Sequence, residues 1–262
     1  MSRSTIALAA VLAAIVALTS ALPNAAADEA LDKAFDALKG YEWGADRTAL
    51  AALDKAVADS HDDDQARLEL EKRLSAVIRG DAPQAAKDIA CRQLSLIGSA
   101  ECVPAVSALL TDEKLSHMAR YALERIPDAA AVAAMRDAMP KVSGRLKVGV
   151  INSLGVRRDA ESADALIALL GDSDPQIAAA AAAALGSIGN AQAAEALEGF
   201  QEKAPANLKL AAADAYLVCA ERLLADGKKT DALKIYRALA KSELKHVRVA
   251  GTRGMLAVAG KK

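Results

Sequence analysis

Between Ile89 and Phe200 the apolar positions fall into short stripes at helical spacing, arranged in pairs. Ile89, Ala90, Leu94 and Ile97 form one stripe, and Met118, Ala119, Ala122, Leu123 and Ile126 another. Ile177, Ala181, Ala184, Leu185 and Ile188 repeat it. Residues three and four apart share a helix face, so each stripe predicts an amphipathic helix. The passages IACRQLSLIG, MARYALERIP, VINSLGVRRD and AAALGSIGN align on Leu94, Leu123, Leu154 and Leu185, with separations of 29, 31 and 31 residues. Leu217 extends the series after 32. A second apolar helix follows each of the four: 103–110, 129–139, 162–170 and 191–200.

Stop and start signals bracket these stripes. Asp174-Pro175 reads as an N-cap followed by proline at the first helical position, where its missing N–H costs nothing. Asp128, Asp159 and Asn190 fit N-caps of second helices. Gly98, Gly171 and Gly189 fit helix C-termini. The unit is thus a helix–turn–helix of roughly 30 residues, which cannot bury its own apolar faces and has to stack on its neighbours. No alternating run predicts a strand. Ala178 to Ala184, seven consecutive alanines, belong to the first helix of the fourth unit, in register with the other three. That run is too short to span a bilayer.

These repeats resemble the HEAT superfamily in its short bacterial form. The resemblance is carried by AAAALGSIG (181–189) and by AVSALLTD (105–112) and ALIALLGD (165–172). It implies an all-α fold, a right-handed α-solenoid of stacked helical hairpins, with four HEAT-like repeats over 84–206. Residues 28–83 are expected to form an N-terminal helical cap, with helices at 29–39, 47–60 and 64–79 and Asp62 to Asp64 placed to cap the third. In 207–262, Tyr216, Ala220, Gly227, Ala232, Tyr236 and Leu239 follow an order similar to a single tetratricopeptide hairpin, and a lengthened HEAT-like hairpin fits as well. VRVAGTRGMLAVAG (247–260) looks like a first helix without its second, an end cap for the stack.

Composition adds a reason for close packing. The chain is 53% hydrophobic but only 3% aromatic, so alanine supplies much of the apolar count and favours helices in near contact. Formal net charge is -1 and no basic stripe is present, which argues against nucleic acid. Residues 1–27 run from Ser2-Arg3 through an apolar stretch to Pro23 and an A-x-A site at Ala25 and Ala27, the pattern of a secretory leader. A retained membrane anchor is the competing reading; Pro23-Asn24 and the small residues favour cleavage, giving an exported, periplasmic or secreted, monomeric protein that starts near Asp28 and has no stable membrane span.

Candidate chemistry is sparse. His61, His117 and His246 lie far apart and form no metal-ligand pair. HEAT-like iron hydroxylases require repeated His-Glu pairs, and none occurs here. Cys91, Cys102 and Cys219 match no zinc spacing; Cys91 and Cys102 are placed to pair across a hairpin, but buried free thiols are the simpler expectation. No catalytic residue, cofactor or metal is expected. Arg145, Lys147, Arg157 and Arg158 form the one local basic cluster, a candidate anion or partner site, although arginine at a helix C-terminus also suits the macrodipole. Trp43, alone between two glycines, is either a stacking platform or, as its area favours, an aromatic plug under the first helix. Function reads as a non-enzymatic scaffold for an unknown protein or peptide. The alternative is a chromophore lyase like the HEAT-like phycobilin lyases, or an enzyme's accessory subunit.

Overall fold

The computed structural model describes residues 24–260. Most of the expected leader therefore lies outside the described residues. The chain divides into two compact units, one ending at Ile97 and one beginning at Gly98. The division falls between the two helices of the first expected repeat. Among the described residues every regular element is helical.

The N-terminal unit contains α1 (Asn24–Lys39), α2 (Ala51–Asp59), α3 (Asp64–Arg79) and α4 (Gln84–Ile97). Helix α1 starts ahead of the expected 29–39, because Ala25 to Ala27 are strong helix formers. Asp63 caps α3 as expected, its carboxylate accepting from the backbone N–H groups of Gln65 and Ala66. Phe35, Leu38, Leu50, Leu53 and Leu74 are fully buried and join α1, α2 and α3. The Arg73 guanidinium lies 3.9 Å from the Phe35 ring centre and also pairs with Asp32 at 2.8 Å. Gln93 on α4 donates to Asp54 on α2 at 2.6 Å.

The C-terminal unit is a stack of helical hairpins. Its elements are α5 (Val103–Ser107), α6 (Ser116–Leu123), α7 (Ala129–Ala138), α8 (Gly144–Val156) and α9 (Ala163–Leu169), followed by α10 (Pro175–Ile188), α11 (Ala191–Lys203), α12 (Lys209–Ala225), α13 (Lys229–Leu239) and α14 (Lys245–Gly260). First helices pack on first helices: α6 on α8, α8 on α10, α10 on α12. Second helices fill the other layer, with α5 on α7 and α9 on α11. The anchors Leu94, Leu123, Leu154 and Leu185 are each fully buried within their own unit.

Caps follow the sequence in most places. Asp174, Asp128 and Asn190 accept from the backbone N–H groups of Gln176, Ala130 and Ala193. Gly189 ends α10 in the left-handed conformation, φ 63, which glycine adopts without penalty. Asp159 differs: it caps no N–H. Its carboxylate instead takes the Arg136 guanidinium at 2.7 Å and the Ser162 hydroxyl. A cation two helices away competes better for the charge than a neutral N–H does.

Helix α10 explains the alanine run. Ala178, Ala181 and Ala182 are fully buried and Ala180 and Ala184 nearly so, leaving Ala183 as the exposed position. Burial reaches beyond one stripe because α8 and α12 flank α10 on two sides. Glycine one residue past the anchor sets the spacing. A Cβ at Gly155 would lie 2.9 Å from Ala184 Cα, and one at Gly186 would lie 2.5 Å from the Ala215 carbonyl oxygen. The same step of 31 residues relates both glycines and both alanines.

The next anchor is not Leu217. Tyr216, 31 residues after Leu185, is the largest fully buried side chain among the described residues and occupies the place. Leu217 is only half-buried and stands where the two preceding first helices carry glycine.

Candidate functional site

The four basic candidates do not converge. Arg145 and Lys147 open α8, whereas Arg157 and Arg158 follow its last residue. At 1.5 Å per residue the pairs are separated by roughly 18 Å along the helix. Arg157 is also committed: its Nη1 donates to the carbonyls of Leu123 and Glu124, at 3.3 and 3.2 Å, and to that of Ile126. It thereby satisfies the orphan carbonyls at the end of α6. Arg158 adopts φ 53, at the position Gly189 takes in the next repeat, and pairs with Asp226 at 2.8 Å. These two arginines fasten helix ends, whereas Arg145 is exposed and Lys147 half-buried in the first turn of α8.

Trp43 departs from its expected role as a plug. It is 59% exposed, in the turn between α1 and α2. Gly44 takes φ 89 there, and Tyr41 closes the turn by donating to the Ala45 carbonyl at 3.1 Å. The buried aromatic of α1 is Phe35, with Leu38 beside it in the core, and the indole lies outside.

The histidines are exposed and sit at helix ends or turns. All three cysteines are buried and none forms a disulfide. Burial, with Asp88 nearby, pushes the Cys91 thiol up to about 12, and burial alone pushes Cys219 up to about 11. Such thiols stay protonated and unreactive at neutral pH. Among the described residues, no three His, Cys, Asp or Glu side chains gather as a ligand set for a metal.

An open groove of about 840 Å³ lies between α12 and α14. Its cause is the leucine at 217, where the two preceding first helices carry Gly155 and Gly186. Helix α14 approaches α13 closely through Gly251 and Gly254: a Cβ at Gly251 would lie 2.5 Å from the Ala240 nitrogen, and one at Gly254 would strike the Tyr236 ring. On the α12 side no such approach occurs, because Leu217 fills the glycine position. Leu217, Val249, Ala250 and Ala257 make the groove apolar, Lys245, Arg253 and Glu221 supply its charges, and His246 adds a polar ring. Burial and then the Glu221 carboxylate hold the Tyr236 phenol above its usual range, so it remains a neutral part of the wall.

Sequence reasoning missed this groove. One available signal was charge: 227–260 contains eight Lys and Arg against two acidic residues, in a chain whose net charge is -1. No contiguous block reveals it, since the cations are spread at helical spacing over α13 and α14.

Residues 141–216, from the turn before α8 to Tyr216 in α12, match the family model for HEAT repeats. No curated protein matches the chain significantly. Among solved structures, an engineered protein is similar with a TM-score of 0.41 and 16% identity, over 89% of this chain and 74% of that one. Human deoxyhypusine hydroxylase, solved with glycerol, is similar with a TM-score of 0.36 and 15% identity, over 90% of this chain and 98% of its own.

Proposed function

We propose that this protein is a non-enzymatic HEAT-repeat scaffold that binds another protein or a peptide in an exported compartment. The observation that carries the reading is the solvent exposure of aliphatic side chains along the first helices. Val156 is 65% exposed and Val218 is also exposed; each stands two residues past its helix's anchor, Leu154 or Tyr216. Leu210 adds a third, on the same helix as Val218. A single exposed aliphatic needs no explanation, but three on the first helices α8 and α12, two of them at one register with Ser187 between, make a surface suited to a macromolecule. The leader-like N-terminus supports the compartment.

Cross-linking in intact cells, followed by mass spectrometry of the exported fraction, is expected to recover one specific protein. N-terminal sequencing of the protein from that fraction is expected to begin at Asp28. A chain that keeps its first residues inside the cell contradicts export. A purified protein with no cross-linked partner that turns over a small molecule contradicts the scaffold.

A further inference from the structure

We infer that the groove between α12 and α14 is a docking site for an acidic amphipathic segment of another protein. The inference rests on the scaffold reading and assigns it a surface and a partner chemistry.

Shape is the first argument. In the two preceding steps of the stack, glycine past the anchor lets the next first helix approach closely, at Ala184 and at Ala215. At Leu217 the chain ends this pattern and leaves an elongated opening bordered by two helices, about 840 Å³ in volume. Leu210 lies seven residues before Leu217, two helical turns away on the same face of α12, and is 48% exposed. It continues the apolar line beyond the groove. An occupant with aliphatic side chains on one face can therefore seat them against Leu217, Val249 and Ala257.

Charge is the second argument, and it selects the occupant. Helix α14 contains no acidic residue. Lys245, His246 and Arg253 line the groove with Glu221 as the one opposing carboxylate. Neither Lys245 nor Arg253 forms an ion pair among the described residues. Cations left unpaired around an apolar floor favour a partner that brings carboxylates. A second copy of α14 brings more cations and is repelled. A lipid surface is disfavoured by form, since helices that lie on membranes present a protruding apolar face, whereas Val249 and Ala257 border a concavity.

The test uses the full-length protein and a fluorescein-labelled peptide of leucine and glutamate, about 15 residues or four helical turns long, with leucines along one face. A peptide with lysine in place of every glutamate is the control. At ~0.15 M salt, where long-range attraction is largely screened, the glutamate peptide is expected to bind saturably and at least about tenfold tighter than the lysine peptide. The double substitution Lys245→Glu with Arg253→Glu, at exposed positions that leave the fold intact by circular dichroism, is expected to weaken it at least about tenfold. Ala257→Trp, which fills the groove without changing charge, is expected to do the same. Equal binding of the two peptides, absence of binding, or indifference to these substitutions overturns the proposal. So does displacement of the peptide by phosphatidylglycerol vesicles that bind more tightly, or a dimer in sedimentation that Ala257→Trp dissociates. A cross-linked partner whose capture survives Ala257→Trp removes the groove and leaves the scaffold reading standing.

Discussion

Ala181→Asp is expected to lower the thermal midpoint of unfolding by roughly 10 °C. Ala181 is fully buried in α10, between α8 and α12, with Ala178, Ala182 and Leu185 equally buried around it. A carboxylate there loses its hydration and gains no cation. The penalty for a buried unpaired charge is about 3–5 kcal/mol. At about 2–4 °C per kcal/mol for a chain of this size, the shift follows. Ala183→Asp, at the exposed position of the same helix, is the control and is expected to move the midpoint little. Differential scanning calorimetry on the pair checks both. An unchanged midpoint for Ala181→Asp would place α10 at the surface and remove the fourth repeat from the stack.

Tyr216→Ala is expected to cost about 3–5 kcal/mol, the range for truncating a buried aromatic. Leu217→Ala is expected to cost less than half of that, because Leu217 is half-buried beside an open groove. Burial holds the Tyr216 phenol above its usual range, with Glu198 a smaller contribution, so the ring packs as a neutral body at any physiological pH. The contrast locates the anchor of α12. Urea titrations with the reverse order, Leu217→Ala the more damaging, would restore the leucine register and remove the explanation for the groove.

Much of the stack is legible in the sequence because each device is local. Leucines at a constant step, an Asp-Pro start at 174–175 and a glycine stop at 189 depend only on nearby residues. What escaped depends on neighbours across the stack. Tyr216 escapes a register of leucines alone, although a step of 31 from Leu185 lands on the tyrosine. Asp159 looked like a cap until Arg136, 23 residues away, claimed it. Arg145 and Arg158 looked like one cluster because they are close in sequence; a helix of thirteen residues holds them apart. The area of Trp43 suggests burial, but the core of the N-terminal unit takes Phe35 and Leu38 and leaves the indole exposed. The basic character of α13 and α14 was hidden by even spacing of the cations.

The central claim is that first helices of successive repeats touch through glycine at a step of 31 residues, and that this contact ends at Leu217. Gly186→Ala tests it most directly, because two effects of opposite sign compete. Replacing glycine by alanine inside a helix stabilises by about 1 kcal/mol when there is room. At Gly199 in α11 nothing lies within 4 Å of the added carbon. At Gly186 the added carbon would stand 2.5 Å from the Ala215 carbonyl oxygen, which is backbone of the neighbouring first helix. Overpacking of that kind costs about 1–3 kcal/mol. Denaturant midpoints of the two variants, measured beside the parent chain, are therefore expected to move in opposite directions: Gly199→Ala up, Gly186→Ala down. A rise for both would contradict the close approach of α10 and α12, and with it the account of why the groove opens where it does.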